Sequence, residues 1–254
     1  MKNTTIFGTL DPELAERVSR RAAVTHSSKL AGALALASMP VAFGLLARNA
    51  FAQGTALPAD IIEVLNFALT LEYLEDDFYQ GGLDAGVVPA GPAQSLFQTI
   101  SDHETAHVAL LTSTISGGGG TPATKPTFDF TAGGTFPDPF SDYPTFQALS
   151  QGFEDTGVRA YKGQAGALMA NNAILTVALQ IHSVEARHAS AVRRLRGQKG
   201  WITGNQNDLP AAAAGIYAGE EAGAGVTTPA SAEAFDEPLT KDQVLAIAGL
   251  FIVP

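Results

Sequence analysis

The feature that most constrains this chain is a pattern of glutamate and histidine that occurs twice. In each copy a lone glutamate is followed by Glu-x-x-His, 32 positions later in the first copy and 31 in the second. The six residues are Glu72, Glu104 and His107 in the first copy, and Glu154, Glu185 and His188 in the second. Each lone glutamate also has a tyrosine seven residues further on, Tyr79 and Tyr161.

The spacing within each copy predicts what these side chains can do together. Residues i and i+3 lie on one face of a helix, so each Glu-x-x-His directs a carboxylate and an imidazole at one point. Four helices that direct these groups at a common axis would enclose four carboxylates and two imidazoles. This is the ligand set of a two-metal carboxylate site in a four-helix bundle.

The distribution of glutamate favours this interpretation. Between Gly54 and Gly219 glutamate occurs only six times, and four of the six fall in the pattern. The pattern glutamates share their helix faces with apolar residues, as Glu104 does with Ile100 and Leu111. A carboxylate on such a face is costly unless it is paired, protonated or metal-bound. The alternative to a metal cage is four buried acids that are satisfied by histidine, tyrosine and water.

Composition narrows the classes of protein further. The chain has 254 residues, a formal net charge of −10 and no cysteine. This length is enough for one sizeable core with an extension. The absence of cysteine excludes disulfides, thiolate metal ligands and thiol nucleophiles. The acidic balance argues against nucleic acid as a partner.

Residues 1–52 have the features of a twin-arginine-type signal peptide. Ser19-Arg20-Arg21 precedes an uncharged stretch at 30–47, and Ala50-Phe51-Ala52 is a small-x-small cleavage site that would leave Gln53 as the new N-terminus. We therefore predict an exported protein, periplasmic or extracellular, with no stable membrane span after cleavage. Two alternatives stay open. The stretch could be retained as an anchor, or export could use the Sec route, because Ala23-Val24 replaces the usual Phe and Leu.

Start and stop signals predict four helices in the segment 53–200. Asp60 can cap the first helix, and Gly81-Gly82 is its predicted stop. The helices are predicted at residues 60–80, 92–117, 144–170 and 173–196. Short turns join the first helix to the second and the third to the fourth, and a long crossover at 117–143 carries the chain along the bundle between them. The sequence thus predicts an all-α fold made of two helical hairpins.

The last segment, 201–254, is predicted to be a C-terminal helical extension packed on the bundle. Thr240-x-x-Gln243 has the pattern of a capping box and predicts a helix over 244–251. An alanine-rich stretch at 211–216 predicts another short helix. The arginines at the end of the fourth helix are interpreted as solvated charges that suit a helix C-terminus. They are Arg193, Arg194 and Arg196.

With these residues placed, the chain resembles the ferritin-like superfamily, and within it the exported ferritin-like proteins that include the desiccation-related proteins. The resemblance covers about residues 58–200, with a looser match at 239–244. It is carried by the two Glu-x-x-His motifs, by LNFALTLEYLE at 65–75 and by FEDTGVRAY at 153–161. It implies a ferritin-like four-helix bundle with a long crossover between helices 2 and 3.

The resemblance also implies a role for each residue of the pattern. Two ligands would be terminal, one on each metal, two would bridge both metals, and each histidine would bind one metal. The terminal ligands would be Glu72 and Glu154, the bridging ligands Glu104 and Glu185, and the histidine ligands His107 and His188.

Four further positions follow from the same resemblance. Tyr79 and Tyr161 match tyrosines that lie just outside the ligands of bacterioferritin-like sites, where they would hydrogen-bond a ligand and are candidates to pass an electron. The chain departs from the family at His103 and Val184, which precede the two bridging glutamates. Several relatives carry an acidic residue at those positions.

Three other polar residues, Glu75, His182 and His103, lie close to the pattern in the sequence. Glu75 lies one turn after Glu72 and is expected to support the site from outside the ligand set or to lie at the surface. His182 is expected to make a structural hydrogen bond. His103 is directed about 100° away from Glu104 on an ideal helix, and we expect it to be partly exposed.

Carboxylate-rich sites with two imidazoles suit Fe and Mn, and Zn is an alternative. The first hypothesis is therefore a centre of two divalent ions that performs redox chemistry on a small molecule or metal ion: dioxygen, peroxide or ferrous ion. The second is a non-enzymatic stress-protection or metal-binding bundle with structural metals. The third is an iron-storage shell. It requires an oligomer, and the sequence does not identify the surface that would form it.

Overall fold

The computed structural model describes residues 56–205, 208–209, 211–226 and 231–254. The predicted signal at 1–52 lies outside these segments. Helices dominate the described residues, and β-structure there is limited to isolated bridges such as Phe128 with Ile252. None of the described helices combines the length and the hydrophobicity that spanning a bilayer requires.

Four long helices form the bundle. They are α1 (Ala59–Asp84), α2 (Pro92–Gly117), α3 (Tyr143–Gln164) and α4 (Asn172–Leu195). α1 packs chiefly on α2 and α3 chiefly on α4, so the chain folds as two hairpins. The segment between α2 and α3 is the long crossover. The predicted all-α bundle is confirmed.

The predicted signals at the two ends of α1 are wrong. The helix begins at Ala59, so Asp60 lies in its first turn, where its carboxylate accepts a hydrogen bond from Ile61 N at 2.9 Å. Gly81-Gly82 does not stop the helix, which continues to Asp84. A Cβ at Gly82 would lie 2.1 Å from the ring of Phe146. The glycines therefore leave room for aromatic rings to pack closely on the helix. In the sequence alone, a glycine in this role cannot be distinguished from one that ends a helix.

The ends of α3 and α4 are fixed by side-chain caps. Asp142 accepts a hydrogen bond from Thr145 N at 2.9 Å, and Asn171 accepts one from Ile174 N at 3.1 Å. α3 ends at Gln164, and a 3₁₀ turn at Ala165–Leu168 replaces the last predicted turns of that helix.

The C-terminal segment contains 3₁₀ turns at Ala211–Tyr217 and Glu220–Gly225 and two short helices, α5 (Ser231–Ala234) and α6 (Lys241–Ala248). The predicted capping box at Thr240 and Gln243 is present. Because that box caps the helix from Thr240, α6 occupies 241–248 rather than the predicted 244–251. It packs against α3 and α1.

A buried arginine on α3 fastens this segment to the bundle. The Nε of Arg159 lies 2.7 Å from Oε1 of Glu220 and donates to the carbonyl of Glu237 at 2.7 Å. Its terminal nitrogens donate to the carbonyls of Ala218, at 2.7 Å, and Ile216. Charge-assisted hydrogen bonds of this kind are among the strongest in proteins, so one side chain holds several turns of the extension in place.

Aromatic side chains join the crossover and the C-terminus to the bundle core. The ring of Phe78 stacks on Phe146 at 4.7 Å and meets Phe130 of the crossover edge-on at 5.2 Å. Phe153 on α3 meets Phe251 at 4.9 Å. The backbone N of Asp129 also donates to the carbonyl of Phe251 at 2.8 Å.

Candidate metal centre

The six residues of the repeated pattern come together between the four helices. All four glutamates are fully buried, and the two histidines are 7% and 5% exposed. Their ligand atoms form two overlapping groups in which all atoms lie within 4.8 Å of one another. One group is Glu72, Glu104, His107 and Glu185, and the other is Glu104, Glu154, Glu185 and His188.

The two groups share Glu104 and Glu185 through different oxygens. Nδ1 of His107 lies 2.9 Å from Oε2 of Glu104 and 3.1 Å from Oε1 of Glu185. Nδ1 of His188 lies 2.9 Å from Oε1 of Glu104 and 4.0 Å from Oε2 of Glu185. Each shared carboxylate thus presents one oxygen to each group, which is the arrangement that a carboxylate bridge requires.

Each group is completed by a glutamate that the other does not use. Oε2 of Glu72 lies 3.1 Å from Nδ1 of His107, and Oε2 of Glu154 lies 3.2 Å from Nδ1 of His188. The two halves of the sequence therefore supply equivalent residues to two equivalent positions.

Several buried polar atoms of the cluster make no hydrogen bond of acceptable geometry in the described part of the chain, although short contacts such as that between Nδ1 of His188 and Oε1 of Glu104 join them. These are Oε1 of Glu104, Oε2 of Glu154, both carboxylate oxygens of Glu185 and Nδ1 of His188. Buried polar atoms are nearly always paired, so a concentration of such atoms in one place indicates a binding site for an ion or water. Carboxylate oxygens and imidazole nitrogens are the donor set that divalent transition metals bind. The residues present therefore fit a metal site.

The buried carboxylates outnumber the positive charges near them, and this raises the pKa values of several groups in the cluster. Burial and the charge of Glu185 raise the pKa of Glu104 to about 7, and burial and the charge of Glu72 raise the pKa of Glu185 to about 8. Burial opposes a charged imidazole, yet Glu154 and Glu104 raise the pKa of His188 to about 11. Without cations, the cluster thus retains protons that these groups would otherwise release at neutral pH.

Glu72 differs from the other three glutamates. Burial acts to raise its pKa, but the charge of His107 and hydrogen bonds from His107 and Tyr161 outweigh burial, so its pKa is lowered. Of the four carboxylates in the cluster, that of Glu72 therefore holds its negative charge most readily.

Two tyrosines cross between the hairpins to reach Glu154 and Glu72. The hydroxyl of Tyr79 on α1 donates to Oε1 of Glu154 on α3, and the hydroxyl of Tyr161 on α3 donates to Oε1 of Glu72 on α1. Burial and the neighbouring carboxylate raise the pKa of both phenols well above the ordinary value. Both tyrosines therefore stay protonated and act as donors.

Glu75 is buried rather than at the surface, and a glycine makes room for it. Its side chain is 3% exposed, and burial and the charge of Glu185 raise its pKa well above the ordinary value. A Cβ at Gly157 would lie 3.4 Å from Oε1 of Glu75 and 3.3 Å from Oε2 of Glu185. Gly157 is the counterpart of Glu75 in the second half of the chain, so one half supplies a carboxyl where the other supplies space.

Two further histidines in the described part of the chain, His103 on α2 and His182 on α4, lie outside the repeated pattern. His103 is partly buried, and its Nδ1 lies 2.9 Å from Nε2 of His188. Partial exposure was expected for His103, but its contact with His188 was not. His182 is also partly buried, and its Nε2 has no hydrogen-bond partner among the described residues, so the predicted structural hydrogen bond is not formed through that atom.

The prediction that all the arginines at the end of α4 are solvated is wrong for Arg196, whose side chain is 10% exposed and lies 2.9 Å from Oδ2 of Asp208, and for Arg193. The side chain of Arg193 is 3% exposed and pairs with Asp155 through contacts of 2.6 and 3.2 Å. The hydroxyl of Tyr217 donates to the same carboxylate at 2.5 Å. The sequence held one clue, because Asp155 follows Glu154 directly and lies on a helix that the metal pattern already brings against α4. Arg194, the next residue, is exposed as predicted.

An all-α bundle of two hairpins around clustered glutamates and histidines defines the class of ferritin-like proteins. Residues 60–198, more than half of the chain, match the family described as Ferritin-like domain. The chain belongs to the ferritin-like domain family. No curated protein matches the chain. The narrower resemblance to desiccation-related proteins stays a prediction.

Proposed function

We propose that the buried cluster holds two divalent metal ions, iron or manganese, and that Glu104 and Glu185 bridge them. The observation that carries this proposal is the sharing of these two glutamates, each through a different oxygen, by two overlapping ligand groups. Glu72 and His107 would complete one position, and Glu154 and His188 the other.

Charge and donor type support this choice of metals. Four carboxylates around two divalent cations are formally neutral, which removes the cost of burying four negative charges. Mixed carboxylate and imidazole donors suit iron and manganese, and zinc is the alternative. Membership of the ferritin-like family favours iron.

We propose redox chemistry on dioxygen, peroxide or ferrous ion, of the ferroxidase or catalase type, as the reaction class. A pair of iron or manganese ions, when bound, supplies the one-electron steps that such chemistry needs. The chain excludes bulk water by burying the ligands and holds protons on the hydroxyls of Tyr79 and Tyr161, next to the terminal glutamates. These phenols are the groups best placed to exchange a proton or an electron with the centre.

Export and a role in stress protection are further parts of the proposal. They rest on the twin arginine, the uncharged stretch and the cleavage site in residues 1–52, and on the resemblance to exported relatives. A chain that folds and loads its metal in the cytoplasm before export would meet iron and manganese there, away from copper and zinc outside the cell.

A non-enzymatic role with structural metals is the second candidate. It is favoured by the burial of all six ligands, none of which is more than 7% exposed. In that case the metals would stabilise the bundle and no substrate would reach them.

Metal analysis followed by turnover assays tests the proposal. The protein isolated from its own compartment should contain two iron or manganese ions per chain by elemental analysis. The iron- and manganese-loaded forms should then consume dioxygen or peroxide faster than a Glu104→Ala, Glu185→Ala double variant. Two bound ions without consumption of dioxygen or peroxide would favour the structural role of the metals. A protein that binds no metal would refute the proposed centre.

A further inference from the structure

His103 contacts a proposed metal ligand although it was not predicted to approach the site. Nδ1 of His103 lies 2.9 Å from Nε2 of His188, and the two rings meet edge to edge, with their centroids 5.2 Å apart and their planes at 18°. His188 thus has a close polar neighbour at each ring nitrogen. Its Nδ1 faces Glu104 and Glu154, and its Nε2 faces His103.

We infer that His103 is a positioning residue for His188 and that it makes the two metal positions chemically unequal. This inference rests on the proposed metal centre. His103 would act through His188, by holding that ring where Nδ1 meets the carboxylates. A partner on the second nitrogen of a ligating histidine fixes the tautomer and the ring orientation.

The direction of the hydrogen bond follows from the chemistry of imidazole. Nδ1 of His188 must keep its lone pair free to bind a cation, so the ring proton of His188 is on Nε2. That proton is donated to Nδ1 of His103, which is the acceptor. His103 therefore carries its own proton on Nε2 and is neutral in this arrangement.

The other half of the chain has no equivalent of this contact. The position that corresponds to His103 is Val184, which precedes Glu185 as His103 precedes Glu104. A valine side chain cannot accept a hydrogen bond. In the described part of the chain, the hydrogen bonds of His107 are made through Nδ1, to Glu72 and Glu104. Among the described residues, His188 thus has a hydrogen-bond partner at Nε2, and His107 has none there.

A structural role for His103 would have a different signature. If the ring only filled space beside α4, its removal would lower the stability of the whole bundle and weaken both metal positions together. A positioning role concerns His188 alone. Loss of such a partner typically lowers metal affinity by 10- to 100-fold at the supported position.

Manganese binding to variants that retain one position provides the test. Mn²⁺ is titrated into the metal-free full-length protein by equilibrium dialysis, in two backgrounds. The His107→Ala background retains the metal position that His188 serves. The His188→Ala background retains the position that His107 serves. Adding His103→Ala should weaken binding about 10- to 100-fold on the first background and leave it unchanged on the second. Val184→Ala is the matched control and should change neither.

Rescue separates the hydrogen bond from packing. His103→Asn keeps an acceptor near the place of Nδ1 and should restore most of the affinity that His103→Ala loses, with thermal melts confirming that both variants fold. Equal losses on both backgrounds, no loss on either, or no rescue by asparagine would each overturn the inference. A wild-type protein that binds no Mn²⁺, iron or zinc would instead refute the proposed centre itself.

Discussion

The hydroxyl of Tyr79 on the first helix donates a hydrogen bond of 2.5 Å to Glu154 on the third. Tyr161 on the third helix returns the same contact to Glu72 on the first. Each hairpin therefore supplies a hydrogen-bond donor to a buried glutamate of the other. The two contacts are related by the internal repeat of the sequence, and both cross the interface between the hairpins.

Removing either phenol hydroxyl should destabilise the protein. Tyr79→Phe leaves Oε1 of Glu154 buried without its donor, which typically costs about 1–3 kcal/mol in the free energy of unfolding. Tyr161→Phe should act similarly on Glu72. Urea denaturation of the metal-free protein measures the loss, with Tyr73→Phe, on the same helix, as the control. Midpoints equal to that of the wild type would mean that the contacts contribute nothing.

Replacing a shared glutamate should remove more metal than replacing a histidine. Glu104→Ala or Glu185→Ala deprives both ligand groups of an oxygen, so both ions should be lost. His107→Ala or His188→Ala should mainly weaken one. Elemental analysis of purified variants gives the number of ions per chain, with the exposed Glu63→Ala as a control. Two ions in Glu104→Ala would contradict the bridging role.

The stability of the metal-free protein should fall as the pH rises from about 4.5 to about 8. The pKa values of Glu104 and Glu185 are raised from 4.5 to about 7 and about 8 in the folded protein. A raised pKa means that the folded state binds protons more tightly than the unfolded state. Its stabilisation is complete below the unfolded pKa and is lost as the pH passes the folded pKa.

Thermal melts with and without metal measure this dependence. The melting temperature of the metal-free protein should lie furthest below that of the metal-bound protein near pH 8, and the gap should narrow near pH 5. Glu185→Gln, which cannot ionise, should flatten the dependence in the metal-free protein. Identical melting temperatures of the two forms at pH 7 would indicate that these carboxylates do not form one buried cage.

Two adjacent arginines should respond very differently to substitution. Arg193→Ala leaves the carboxylate of Asp155 buried without its cation, and breaking a buried ion pair in this way typically costs about 3–5 kcal/mol in the free energy of unfolding. Arg194→Ala changes an exposed side chain and should stay within about 0.5 kcal/mol. Chemical denaturation of the two variants compares them directly. Similar losses of unfolding free energy in the two variants would show that the ion pair between Arg193 and Asp155 does not stabilise the protein.

The exported protein should begin at Gln53. The prediction depends on Ala50-Phe51-Ala52 after the uncharged stretch at 30–47. Intact-mass spectrometry of protein recovered outside the cytoplasm identifies the N-terminus. A mass that includes residues 1–52 would support retention of the segment as an anchor.

The bundle and the convergence of the six pattern residues could be predicted because helical periodicity leaves few solutions. A carboxylate and an imidazole three residues apart must share a face, as Glu104 and His107 do. The misjudged details depend on contacts between segments distant in the sequence. Gly82 lies within the helix and leaves room for the ring of Phe146, and Arg193 is buried opposite the carboxylate of Asp155. Neither neighbour can be identified from local sequence alone.

The division of the ligands between the hairpins has a consequence for biosynthesis. Glu185, from the second hairpin, completes the group that contains Glu72 and His107, and Glu104, from the first, completes the group that contains Glu154 and His188. Neither half of the chain can offer a cation a full set of ligands by itself. Metal capture would therefore come after the two hairpins have met. The metal content of a preparation would then record the fraction of molecules that have finished folding.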